Sequence, residues 1–134
     1  MKIIICAKWT WENQLTVEHI EEAVYESAFD VKEVLLCDSD DVGRLWAEQE
    51  NIPYRVFAVN WSDVSRCKTP KRNKFGGLYN PNAGRDRNSQ LVAEADGMLL
   101  FWNEEDKNSE YLVKDLKKAN KRVVFPKINT EFIF

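Results

Sequence analysis

The chain has 134 residues, a net charge of −3 and 44% apolar beside 31% charged residues, the composition of one globular domain large enough to bury a core. No stretch approaches the roughly 18 apolar residues of a membrane span, and no low-complexity tract argues for disorder. The mild negative charge gives no overall pull toward nucleic acid or an anionic membrane.

Lys2 to Cys6 reads as a first strand. The apolar run ending at Cys6 is too short for a secretory leader and lacks a small-residue cleavage region. Val17, Ile20 and Val24 share one side of a helix running to about Glu26. That helix carries the one histidine, His19, among Glu18, Glu21 and Glu22, where it reads as a surface residue. Val34 to Cys37 give a second strand, and Val42, Leu45 and Trp46 mark the apolar side of a second helix. Pro53 stops that helix near Asn51-Ile52, because proline lacks the N–H and disfavours a helical residue before it. Tyr54 to Phe57 form a third strand. Cysteines 6, 37 and 67 make no CxxC pair. Two of them end predicted buried strands, where a thiol behaves as a small apolar group, so a reducing cytoplasm and structural cysteines are expected.

The segment from Ala58 to Gly84 breaks the pattern. It has no sustained period, contains Pro70, Gly76, Gly77 and Pro81, and is long for a connection inside one domain. Seven basic residues against two acids fall between Trp61 and Asn88, a basic loop on an acidic body. Beyond it the chain reads helix, strand, polar loop, helix, strand. Leu91, Val92 and Ala95 give the first helix its apolar face, and GMLLFW from Gly97 is an unbroken apolar run, as a strand covered on both sides needs. Ser109 sits where an N-cap belongs, with Leu112, Val113, Leu116 and Ala119 at helical spacing behind it. KRVVF, ending at Phe125, closes the unit as another buried strand. Five strands alternating with four helices predict an α/β fold: a three-layer sandwich with a five-stranded, mainly parallel sheet in a single domain. Ligands of such sheets bind beyond the carboxyl ends of the strands, which places the loop from Trp102 to Ser109 at the expected site.

Several short motifs stand at these strand ends: Ala83-Gly84 with Arg87-Asn88, Ala95-Asp96 before an apolar strand, Phe101-Trp102-Asn103 after it, Val59-Asn60-Trp61, and Ala7-Lys8-Trp9 followed by Trp11. In these the chain resembles the SLOG superfamily of Rossmann-like domains, in its small YspA/YpsA-like branch, over roughly Met1 to Phe125. The resemblance implies binding of a nucleotide or nucleotide-derived small molecule at the carboxyl edge of the sheet. The departures are specific. Where that branch has a glycine-rich turn after the second strand, this chain has Cys37-Asp38-Ser39-Asp40-Asp41-Val42-Gly43, whose carboxylates suit a helix N-terminus and repel phosphate. Related phosphoribohydrolases carry a glutamate at the position that Val113 occupies here, and Glu110 lies in the first helical turn, where acids are common.

The candidate ligand-binding residues are therefore Lys8, Trp9, Trp61, Arg87, Asn88, Trp102, Asn103 and Ser109. Indole faces stack on bases, with Trp9 expected to be the exposed one, and Arg87, opening a helix, is the best candidate for an anion. No nucleophile–base pair or metal cluster stands out, and no cofactor is expected. Binding without turnover is the first reading. A protein–protein module using the basic loop and the apolar tail Ile128 to Phe134 is the second. A phosphoribohydrolase-like enzyme or a single-strand nucleic-acid binder comes third, nucleic acid being disfavoured by the acidic body. The ligand, the protein partner and any homo-oligomer stay open.

Overall fold

The computed structural model describes residues 1–10, 13–62, 64–65, 67–101 and 107–126, with 107 and 108 described by their backbone alone. In chain order the elements are β1 (Lys2–Cys6), α1 (Val17–Ser27), β2 (Glu33–Leu36), α2 (Val42–Gln49), β3 (Tyr54–Val56), β4 (Lys71–Arg72), β5 (Leu78–Tyr79), α3 (Ala83–Glu94), β6 (Gly97–Leu100), α4 (Lys107–Lys118) and β7 (Arg122–Val124). Five strands form one sheet in the order β3-β2-β1-β6-β7, and every pairing within it is parallel.

Alternation along the strands divides the core in two. Ile3, Ile5, Val34, Leu36 and Leu99 face α1 and α2, where Ile20, Ala23, Val42, Trp46 and Ala47 meet them. Ile4, Leu35, Met98 and Leu100 face α3 and α4, against Leu91, Leu112, Val113 and Leu116. β1 and β6 are buried on both faces, so their sequences are continuous apolar runs rather than alternating ones. The α/β three-layer architecture expected from the sequence is present. Gly97 holds one close approach in it. A Cβ there would lie 2.9 Å from the Phe29 ring and 3.0 Å from the Arg122 carbonyl oxygen. The Arg122 guanidinium in turn stands 5.0 Å from the Phe29 ring centroid.

Local departures from the sequence reading have physical causes. Leu45 is 48% exposed, because the buried side of α2 runs through Val42, Gly43, Trp46 and Ala47 and leaves it off that stripe. His19 is buried: its Nδ1 accepts the Thr16 backbone N–H at 2.9 Å, so it serves the first turn of α1 instead of facing solvent. β7 lies at the sheet edge and is only half-buried. The stretch read as a loop from Ala58 to Gly84 contains the antiparallel pair β4–β5. Asn73 shapes its turn by accepting the N–H groups of Phe75 and Gly77, and Gly76 supplies the positive φ of 82°. The segment also ends earlier than expected. Asn80 accepts the Asn82 N–H at 2.9 Å and starts α3 at Ala83, which puts Arg87 in the second turn rather than at the opening. α4 likewise begins at Lys107, so Ser109 lies inside its first turn and not at the cap. Trp11, Trp102, Asn103 and the apolar tail from Ile128 to Phe134 lie outside the described residues.

Candidate functional site

The strand order reverses at β1. Its chain continues through α1 on one face, whereas that of β6, its other neighbour, continues into α4 on the opposite face. Connections that diverge to opposite faces leave a crevice beyond the carboxyl ends of the two strands, the usual ligand position in sheets of this type. A cavity of about 490 Å³ lies there. Cys6, Ala7 and Lys8 line it from the end of β1, Cys37, Asp38, Asp40 and Asp41 from the end of β2, Arg87 and Asn88 from α3, and Phe101 and Ser109 from the β6–α4 side.

Asp41 organises one wall. It is the N-cap of α2: Oδ1 accepts the Gly43 N–H at 2.7 Å, and Oδ2 accepts the Ala7 N–H at 2.8 Å. One carboxylate thus joins the start of α2 to the end of β1, reinforced by the Val42 N–H donating to the Ala7 carbonyl at 2.9 Å. Burial pushes its pKa up to about 6, against the two backbone hydrogen bonds that favour the ionised form. A phosphate at this helix start would need the N–H that Asp41 already occupies. Gly43 sits tightly as well, since a Cβ there would lie 2.7 Å from Ile5 Cγ2. Asp38 and Asp40 remain exposed at the rim. Among the described residues no group of three or more His, Cys, Asp and Glu side chains is arranged to hold a metal ion.

Arg87 forms the opposite wall. Its Nε donates to Asn88 Oδ1 at 2.9 Å, and its Nη1 reaches the carbonyls of Cys37 at 3.4 Å and Phe57 at 3.3 Å. The guanidinium therefore closes the ends of β2 and β3 while its charge faces the crevice. Beneath it the sulfurs of Cys6 and Cys37 lie 3.6 Å apart.

Of the residues singled out in the sequence, Lys8, Arg87, Asn88 and Ser109 come together on this crevice. Trp9 and Trp61 are not among its lining; they are 43% and 53% exposed, so Trp61 is the more open of the two. The sequence reading missed Cys6, Cys37 and Asp41 as lining residues. The two cysteines were legible as strand ends, but that they stand side by side follows only from β1 and β2 being neighbours in the sheet.

No family model matches the chain, and no curated protein matches it. Among solved structures it is similar to the phosphoribosylglycinamide formyltransferase (purN) from Coxiella burnetii, in complex with CHES, with a TM-score of 0.39 and 12% identity. The match covers 83% of this chain and 46% of that one, so the chain spans about half that protein's length. No helix among the described residues is long and apolar enough to cross a membrane.

Proposed function

We propose that the crevice binds a nucleotide or nucleotide-derived small molecule and does not turn it over. The observation that carries this reading is the pairing of cations with carboxylates around a cavity of about 490 Å³ at the sheet's reversal point. Lys8 and Arg87 suit an anion, while Asp38 and Asp40 at the end of β2 suit sugar hydroxyls, which donate to carboxylates in many nucleotide sites of this architecture. With Asp41 occupying the start of α2, the anion belongs near Lys8, Arg87 and the first turn of α4. The SLOG-like motifs point the same way, because Arg87 and Asn88 are the retained pair.

A thermal-shift series with nucleosides, mononucleotides, dinucleotides and ADP-ribose compounds tests this. A ligand at a hundredfold excess over its Kd adds about 2.7 kcal/mol of stability, which raises Tm by several degrees. Arg87→Ala should cost about 1–3 kcal/mol of binding through loss of a charge-assisted contact. Because Arg87 also holds strand-end carbonyls, Lys8→Ala on the exposed rim separates lost charge from disturbed structure. If no compound of these classes raises Tm in the unmodified protein, the reading fails.

One observation favours a second reading, a protein-docking module. Phe75 at the tip of the β4–β5 turn is 85% exposed, and Leu78 and Trp61 in the same basic segment are exposed too. Under that reading Phe75→Ser abolishes an interaction and leaves every ligand-induced shift unchanged.

A further inference from the structure

Cys6 is the last residue of β1, and Cys37 follows the last residue of β2. The final ladder pair is Ile5 with Leu36, so the two cysteines occupy the next position along neighbouring parallel strands. Adjacent strands run about 4.8 Å apart, inside the Cα separation of about 4.4–6.8 Å that a disulfide spans. Both side chains pack on the α3/α4 face, and their sulfurs are already 3.6 Å apart. Shortening that distance to a bond of about 2.05 Å asks each sulfur to move by less than about 1 Å. Both residues are half-buried and line the crevice, so a reagent in the cavity reaches them.

We propose that Cys6 and Cys37 form a dithiol–disulfide couple that exchanges with low-molecular-weight disulfides entering the crevice. The proposal stands apart from nucleotide binding and needs no nucleotide. Cys37 is the attacking sulfur. A hydrogen bond from the Cys6 thiol holds Cys37 below the usual thiol range, with the Arg87 charge acting in the same direction. The same contact and burial push Cys6 well above that range, which keeps it protonated. Thiolate attack is the productive step in exchange, so this asymmetry sets the order of events. The Cys37 thiolate attacks one sulfur of the small disulfide, forms a mixed disulfide and releases one small thiolate. Cys6 then gives up its proton as its sulfur attacks the Cys37 sulfur; the second small thiolate leaves, takes up that proton to depart as a thiol, and the Cys6–Cys37 bond remains. Two protein thiols are oxidised and one small disulfide is reduced to two thiols. The carboxylates and cations around the cavity suit a zwitterionic peptide disulfide such as oxidised glutathione.

The test uses the purified full chain in glutathione buffers of graded oxidised-to-reduced ratio, with maleimide quenching, intact mass and peptide mapping. The expected product is two hydrogens lighter, loses two maleimide sites, maps as Cys6 linked to Cys37 and reverts with dithiothreitol. Cys67, half-buried and not among the residues lining the crevice, is the control within the same chain and should keep its maleimide. Cys6→Ser should stop the reaction midway, with one glutathione on Cys37, whereas Cys37→Ser should react at least about tenfold more slowly at Cys6. Two outcomes overturn the proposal: both cysteines stay labelled at every ratio, or glutathione accumulates on Cys67 first. Mapping of the unsubstituted chain decides the matter even where a variant folds poorly.

Discussion

Asp41→Ala should destabilise the protein by about 2–4 kcal/mol near pH 5, through loss of the α2 cap and of the carboxylate that accepts the buried Ala7 N–H. The cost should be smaller at pH 8, and the reason lies in the sign of the Asp41 shift. An unfolded aspartate titrates near pH 4, whereas burial holds native Asp41 at about 6. Between those values the native chain keeps a proton that the unfolded chain has released, so stability falls as pH rises through the window. Two pKa units correspond to about 3 kcal/mol, and this sensitivity disappears with the carboxyl group. Urea titrations of both proteins at half-unit pH steps read it directly. Parallel curves for the parent and the alanine variant from pH 4 to 7 would show that Asp41 does not carry the titration.

Gly97→Val should be still more damaging, by about 3 kcal/mol or more, with Gly97→Ala at about 1–3. Gly97 pairs with Ile3 of β1 on one side and Arg122 of β7 on the other, so the strand cannot shift to relieve a clash. The Phe29 ring occupies the space a side chain would take, and it is held there by packing in the core and by the Arg122 guanidinium. Shrinking the obstacle should restore part of the loss. In a double-mutant cycle Phe29→Leu should cost less in the Gly97→Ala background than in the parent. Strict additivity of the two changes would place the obstruction elsewhere.

Legibility from sequence followed the strength of the local signal. β1 and β6 were plain because strands covered on both faces must be apolar throughout, and Ile3 to Ile5 and Met98 to Leu100 are. α1 was equally legible from Val17, Ile20 and Val24. Short elements were harder. The two-residue strands of the basic segment have no period to detect, and their turn depends on an Asn73 side chain bonding its neighbours. The start of α3 was misplaced because Asn80 acts from outside the helix, three residues before Ala83. His19 was read from its charged neighbours in sequence, while its own direction on α1 turned it inward. At the site, the place of Arg87 on the helix after the basic segment was foreseeable, but neither its turn nor its attachment to two strand-end carbonyls was, because those carbonyls belong to residues 50 and 30 positions away. The thiol pair needed the strand order, which a list of strands does not contain.

The place of β1 in the sheet also sets a timetable. Its first partner, β2, follows it closely, but its second, β6, starts only at Gly97. During synthesis the strands β1, β2 and β3 can assemble once Val56 has emerged, and the remaining wait spans some forty residues. At roughly 5–20 residues per second this leaves the apolar edge of β1 unpaired for about two to eight seconds. An open edge of Ile3, Ile4 and Ile5 is a template for any other extended chain nearby. Pairing across so large a sequence separation is also intrinsically slow. Slow translation of the basic segment should therefore lengthen the time this edge stays open, a hazard that the finished molecule, with β1 sealed at its centre, no longer reveals.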